Sequence, residues 1–171
     1  MRADAARNRE KVLDAARALF AEQGYDVPLD EIATKAGVGP GTVYRHFPTK
    51  QALFQAVTET RVTAMIASAS EPAESAKDAL FAFLGRMADE AAAKRDMTDA
   101  FTLSADLRKN LHAALGGLLE RAQEAGEVRA DVTATDLVVL MKGMLQSLQE
   151  GGANPAVLLE IVLSGLQSRK P

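Results

Sequence analysis

Residues 36–54 read AGVGPGTVYRHFPTKQALF, and they interrupt a chain whose pattern is otherwise helical. Two glycines flank Pro40, and an aromatic, basic cluster follows. The pattern predicts a short helix over about 39–47, because a proline suits a first helical turn and a second proline forces an end. Val43 and Phe47 stand four residues apart on its buried face. The stretch therefore predicts that one helix stops and another begins.

The residues before this stretch predict two supporting helices. A long helix over about 8–23 has one apolar stripe and ends at Gly24. A short helix then follows Pro28 and ends at Gly37, which lets the chain reverse. Two short helices joined by AGVG, after a longer one, have the proportions of a helix-turn-helix unit, whose turn often contains glycine.

The face opposite Val43 and Phe47 is polar and basic. It presents Thr42, Arg45 and His46, with Tyr44 at its edge. Side chains of these types donate hydrogen bonds to phosphates and base edges. Lys50 lies at the start of the next predicted helix, where free backbone amides make an anion site. From spacing alone, a merely solvated helix surface explains the same face equally well.

The remaining chain predicts further helices and no strand. The fold class is all-α with about nine helices, a three-helix domain at the N-terminus being followed by a larger helical domain. We place the first domain at residues 1–54 and the second at 55–171, with a connecting helix at about 49–68. The later helices are predicted over about 79–94, 105–125, the segment LVVLMKGMLQSL and the segment VLLEIVLSGL, with an ambiguous short one within 96–104. Thr133 and Asp136 have the spacing of a capping box before LVVLMKGMLQSL.

Composition restricts the function classes. The chain has 171 residues, 47% of them hydrophobic and 25% charged, which is typical of globular proteins. Cysteine is absent, so disulfides and thiolate chemistry are excluded. The net charge is −3, but residues 1–61 hold nine basic and eight acidic side chains, a net of +1, so the acidity lies in the remainder. The charged N-terminus and the absence of a long apolar run predict a cytoplasmic protein without a membrane partner.

The sequence offers little for catalysis. It contains two histidines, no Gly-rich phosphate loop and no HExxH or GxSxG motif. Adjacent carboxylates such as Asp89 and Glu90 point apart on a helix. We therefore expect no catalytic residue, no metal site, no cofactor and no enzyme activity.

Two segments are similar to a known family. They are LFAEQGY at 19–25 and LDEIATKAGVGPGTVYRHFPTKQALF at 29–54. The glycine, Thr-Val-Tyr, His-Phe and Lys-x-x-Leu elements have the order and spacing found in the TetR family of bacterial transcriptional regulators. The span from Arg9 to Phe54 resembles the DNA-binding domain of that family.

The resemblance implies a role for each matching position, with the helix over about 39–47 entering the major groove. Base edges are approached by Gly39, Pro40, Gly41 and Thr42, phosphate is bound by Tyr44, His46 and Lys50, and Arg45 occupies a variable position suited to reading sequence. One departure concerns Pro28 and Leu29, where many members have a serine or threonine that caps the helix and touches phosphate. That contact is lost here.

Beyond about residue 62 the resemblance is one of architecture, which implies a ligand-binding and dimerisation domain. Apolar residues expected in a ligand pocket are Phe81, Met87, Met97, Phe101, Leu115, Met141 and Met144, with Glu90, Asp99, Asp106 and His112 as candidates to orient a polar group. The last two predicted helices are apolar on more than one side, which favours a homodimer. The expected interface comprises Leu137, Leu140, Leu145, Leu148, Leu158, Leu159, Val162 and Leu166.

The resemblance thus implies a homodimeric, sequence-specific repressor that binds a pseudo-palindromic operator in double-stranded DNA. A small molecule releases it, and it is nucleoid-associated when bound. Two alternatives stay open. One is an architectural or weakly specific DNA-binding protein without a ligand, and the other is a helical interaction module that has lost DNA binding.

Overall fold

A computed structural model describes residues 2–92, 103–150 and 154–168. These residues form α1 (Arg2–Gln23), α2 (Leu29–Ala36), α3 (Pro40–His46), α4 (Lys50–Ala67), α5 (Ala76–Ala92), α6 (Ala105–Glu124), α7 (Ala134–Glu150) and α8 (Pro155–Leu166), with a 3-10 turn over Ser68–Ser70. No β-strand occurs in the described ranges, where a single β-bridge pairs Val128 with Gln167. The all-α prediction is confirmed. Most of the ambiguous segment 96–104 lies outside the described residues.

Two helices begin earlier than the apolar pattern predicts. α1 starts at Arg2 because its first turns are rich in alanine, carry Asp4 at the positive end of the helix dipole and contain an Asp4–Arg7 ion pair. α5 starts at Ala76 because the Ser75 hydroxyl accepts a hydrogen bond from the Asp78 backbone N–H at 3.1 Å. In both cases capping and propensity extend the helix beyond its apolar stripe.

The chain packs as two compact units, which divide within α4 between Arg61 and Val62. In the first unit α1, α2, α3 and the start of α4 enclose one core. The stripe predicted on α1 is buried there, apart from Leu13, which is half-buried. The core members are Val12, Ala15, Ala16, Leu19, Phe20, Val27, Ile32, Ala33, Ala36, Val43, Phe47, Leu53, Phe54 and Val57. This core fixes the positions of the two short helices.

The second unit has its own core between α5, α6 and α7, with α8 packed against α5 and α7. Leu80, Phe83 and Leu84 on α5 are fully buried. Burying side chains of this size contributes about 1.5–3 kcal/mol each, so this helix is a principal source of stability. Met65, near the end of α4, also belongs to this core.

Hydrogen-bonded caps define the later helices. Thr133 and Asp136 form the predicted capping box at α7: the Asp136 N–H donates to the Thr133 hydroxyl at 3.2 Å, and the Thr133 N–H donates to the Asp136 carboxylate at 2.9 Å. At α8 the Asn154 side chain accepts from the Ala156 N–H at 3.0 Å. No helix in the described ranges is long and apolar enough to cross a membrane.

Candidate nucleic-acid interface

The turn between α2 and α3 is set by Gly37. Its backbone is left-handed, with φ 66° and ψ 35°, a conformation that strains residues with a Cβ atom. The N–H groups of Gly37 and Val38 donate to the carbonyls of Thr34 and Ala33, each at 3.1 Å. These bonds satisfy the last carbonyls of α2, so the chain can leave that helix and start α3 within three residues.

α3 is held from behind by two side chains. Val43 is fully buried and Phe47 is 3% exposed. At its start, the Thr42 N–H donates to the Gly39 carbonyl at 2.8 Å and Pro40 occupies the first turn. A helix of seven residues has little stability of its own, so the core beneath it fixes its direction.

The opposite face of α3 is open. Tyr44 is 50% exposed, Arg45 is exposed, and Thr42 and His46 are half-buried. The exposed residues Gly39, Pro40 and Gly41 begin the helix, and a Cβ atom built on Gly41 meets nothing within 4 Å. The structure thus brings the predicted DNA-contact residues of α3 to one surface.

α4 begins beside α3 with a cap and a cation. The Thr49 hydroxyl accepts from the Ala52 N–H at 3.0 Å. The Lys50 Nζ lies 4.7 Å from the centroid of the Tyr25 ring, close enough for a cation–π interaction. Tyr25 in turn packs edge-to-face on Phe54, with 5.5 Å between ring centroids. An aromatic ring therefore holds the Lys50 ammonium at the helix start.

Sequence reasoning missed two residues here. Tyr25 supports Lys50, and Arg9 places its Cζ atom 5.3 Å from the Phe47 ring centroid. Each of these contacts joins residues that are distant in the sequence, so no local pattern indicates it. The sequence offers only the positive charge of Arg9 as a signal. At the start of α2, Pro28 makes no side-chain capping bond, which agrees with the loss expected at this position.

The residues predicted to line a pocket lie mainly in the core of the second unit. Leu115, Met141 and Met144 are buried there, while Phe81 and Met87 are half-buried against it. Among the polar candidates, Asp106 is exposed in the first turn of α6, and His112 is exposed with its Nε2 3.3 Å from the Thr135 Oγ1. Met97, Asp99, Phe101 and the Glu90 side chain lie outside the described residues. Two surface grooves of about 360 and 380 Å³ are lined by other residues.

The predicted interface residues on α7 and α8 divide by burial. Leu137 and Leu166 are buried in the core of the second unit, and Leu158, Leu159 and Val162 are half-buried. Leu140 is 51% exposed, whereas the side chains of Leu145 and Leu148 lie outside the described set. The most exposed apolar side chains on these helices include three that the pattern did not single out: Val139, Val157 and Ile161. We call Val139, Leu140, Val157 and Ile161 the exposed apolar residues of α7 and α8.

A helix-turn-helix with a buried anchor and an open, basic face defines a DNA-binding protein. Residues 12–57 match the family of bacterial regulatory proteins described as the tetR family, and residues 75–168 match the C-terminal domain of SbtR-like transcriptional regulators. The second match alone covers more than half of the chain. The chain belongs to the TetR family and is a DNA-binding transcriptional regulator.

Individual relatives agree with this assignment. A TetR transcription regulatory protein from Mycobacterium vanbaalenii is 42% identical, the match covering 97% of this chain and 98% of that one, with a TM-score of 0.70. The TetR regulator SCO0520 from Streptomyces coelicolor is 34% identical over 95% and 99%, with a TM-score of 0.72. The helix-turn-helix regulator TtgW of Pseudomonas putida is 47% identical over 60 residues, which are 34% of this chain and 45% of that protein. The chain thus spans less than half of that relative's length.

Family membership also indicates whether the protein is an enzyme and how such proteins are regulated. TetR-family proteins are transcriptional regulators, which confirms the expectation that this protein is not an enzyme. Within the described residues, no three His, Asp or Glu side chains are grouped so as to hold a metal ion. Ligand-responsive repression is typical of the family.

Proposed function

We propose that this protein is a homodimeric repressor that binds a pseudo-palindromic operator and is released from it by a small molecule. The observation that supports it best is α3, a short helix fixed by Val43 and Phe47 with an open face of hydrogen-bond donors. Residues 1–54 provide the DNA-binding domain in this proposal. Residues 55–171 provide dimerisation and ligand binding.

The DNA contacts divide between bases and phosphates. Gly39, Pro40 and Gly41 carry no side chain that reads a base, so the backbone there approaches the groove closely. Thr42 and Arg45 face the base edges in this proposal. The Arg45 Nε–H donates to the Gly41 carbonyl at 3.2 Å, which leaves the outer guanidinium nitrogens to reach a base. Phosphate contacts come from Tyr44, His46 and Lys50.

Dimerisation is supported by the exposed apolar residues of α7 and α8. Val139 and Ile161 are each 62% exposed, and a partner that covers them would remove apolar area from water, which is favourable. A twofold axis through this surface makes the interface self-complementary. Two copies of α3 then read half-sites about 34–36 Å apart on successive major grooves.

Ligand release is supported by the continuity of α4. The helix begins at Lys50 among the phosphate-contact residues, and Met65 near its other end packs in the core of the second unit. In this proposal the dimer has one form that spans two half-sites and another that does not. A ligand that binds the second form more tightly lowers the operator affinity, and the ratio of its affinities for the two forms sets the size of the loss. The pocket residues in this proposal are Phe81, Met87, Met97, Phe101, Leu115, Met141 and Met144. The protein works in the cytoplasm, nucleoid-associated when bound to DNA, and uses no cofactor.

Selection of bound sequences from a random duplex pool tests the core of the proposal. The purified full chain is used at moderate salt. Enrichment of a pseudo-palindrome establishes sequence-specific binding by a dimer and supplies an operator for a ligand screen. A folded dimer that enriches no sequence contradicts the proposal; affinity that depends on salt but not on sequence would instead mark an architectural DNA binder.

A further inference from the structure

Arg9 lies at the end of α3, although it belongs to α1. Its guanidinium carbon is 5.3 Å from the centroid of the Phe47 ring, and Phe47 is the residue that terminates α3. The neighbouring His46 ring is 6.3 Å from the Phe47 ring, centroid to centroid. Arg9 is exposed, so its charge is held against the Phe47 ring, next in sequence to the proposed phosphate-contact residue His46, and is open to solvent.

The cations of the first unit differ in whether they pair with a carboxylate. Three cations are paired with carboxylates: Arg7 with Asp4, Arg17 with Asp14, and Lys35 with Glu22. Arg9, Arg45 and Lys50 form no ion pair with any carboxylate in the described part of the chain. Their contacts are the Phe47 ring, the Gly41 carbonyl and the Tyr25 ring. No described carboxylate therefore competes with an external anion for these three cations.

A ring is a suitable support for such a cation. Stacking a guanidinium on an aromatic face holds the group in place while its N–H donors, which lie in its own plane, stay available. Less side-chain freedom is then lost when an anion binds. Lys50 on Tyr25 and Arg9 on Phe47 repeat the same arrangement at two positions next to α3.

We propose that Arg9 binds a DNA backbone phosphate beside the C-terminal end of α3, in addition to the contact made by Lys50. The inference rests on the proposed DNA binding. Arginine can bind a phosphate through two parallel N–H···O bonds, so the contact fixes the position of α1 on the duplex as well as adding affinity. The contact carries no sequence information, because it meets only the backbone.

The test compares Arg9→Gln, Arg9→Lys and Lys11→Gln in the full chain, with the selected operator as probe. Lys11 is the matched control because it is an exposed cation on the same helix, two residues away and therefore about 200° around the helix from Arg9. Affinity is measured between about 50 and 200 mM salt, the range over which phosphate contacts are strongly weakened. Thermal unfolding of each variant checks that α1 and α3 stay packed.

For Arg9→Gln we expect the slope of log K against log salt to become shallower by about 0.9 per protomer, with about a tenfold loss of affinity per lost contact at 0.1 M salt. The loss is the same for different operator sequences. Arg9→Lys keeps most of the slope, because a lysine still supplies one charge. Lys11→Gln leaves the slope unchanged.

Three results overturn the inference. They are an unchanged slope in Arg9→Gln, an equal change in Lys11→Gln, and a loss confined to one base position. If Arg9→Gln lowers the unfolding temperature, the slope decides, because a loss of folded protein lowers affinity by the same factor at every salt concentration, whereas the loss of a phosphate contact makes the slope shallower. Absence of sequence-specific binding by the parent chain contradicts the proposed function itself, which separates the two failures.

Discussion

The exposed face of α3 and the exposed surface of α7 and α8 are opposite in chemistry. α3 buries Val43 and Phe47 and presents a tyrosine and an arginine to solvent. On α7 and α8 the helices bury leucines and still present Val139 and Ile161, each 62% exposed. Both regions are anchored by a packed core.

The difference in exposed side chains indicates which kind of partner each surface suits. Donors and unpaired cations suit a phosphate backbone, whose attraction is electrostatic and weakened by salt. Branched aliphatic side chains suit another apolar surface, whose attraction follows the area removed from water. Alteration of each surface should therefore have a distinct effect, on DNA binding for α3 and on assembly for α7 and α8.

Substitution of Ile161 by glutamate should have the largest effect. A charge placed in a buried apolar interface must be desolvated without a partner, so Ile161→Glu should give a monomer. A monomer loses the second half-site contact, and we expect operator affinity to fall roughly 10²–10⁴-fold. Molar mass in solution and operator binding measure the two effects. Ala82→Glu, on the exposed face of α5, is the control for added charge, and a fully dimeric Ile161→Glu protein would contradict the proposed interface.

Removal of the Lys50 charge should have the next largest effect. Lys50→Ala should weaken binding about tenfold per lost contact at 0.1 M salt and flatten the salt slope by about 0.9 per protomer, because each protomer loses one phosphate contact. The protein should stay dimeric. Lys109→Ala, an exposed lysine on α6, removes the same charge and should change neither quantity. A Lys50→Ala effect limited to one base position would point to a base contact instead.

Loss of the α7 cap should affect stability more than binding. Thr133→Ala should lower the free energy of unfolding by about 1 kcal/mol, because the Thr133 hydroxyl satisfies an amide at the helix start. Chemical denaturation measures this, with Ser164→Ala as the control.

The capping box also predicts a pH dependence. Hydrogen bonds from the Thr133 hydroxyl and its backbone N–H hold the pKa of Asp136 below its ordinary value. A lowered folded pKa contributes stability above the unfolded pKa, and that stability is lost as pH falls through the lowered value. The difference between the parent chain and Thr133→Ala should therefore shrink in acid. A difference that stays constant down to low pH would show that the carboxylate does not contribute.

Removal of the ring under Lys50 should have the smallest effect. Tyr25→Leu should weaken operator binding about two- to fivefold, since exposed cation–π contacts contribute about 0.5–1 kcal/mol. Tyr25→Phe keeps the ring and should bind like the parent chain. Equal losses in both variants would assign the effect to the tyrosine hydroxyl and not to the ring.

Much of the first unit was predictable because its signals are local. Gly37 adopts the left-handed conformation that the turn requires, and Val43 and Phe47 are buried as their spacing indicates. In the second unit, the Thr133–Asp136 box forms as its spacing predicts. Caps and glycine turns involve residues within a few positions of one another, so sequence determines them directly.

Contacts between distant segments were decided only by the tertiary structure. Arg9 meets Phe47, and Lys50 meets Tyr25, because separate helices pack around one core. On α7 the pattern could not distinguish Leu137, which is fully buried, from Val139, which is exposed. A helix that is apolar on several sides does not specify which side faces the core of its own unit, since that depends on the neighbouring helices. The sequence by itself thus determined the helices, the turn and the family, whereas packing determined which cations face outward and which apolar side chains remain uncovered.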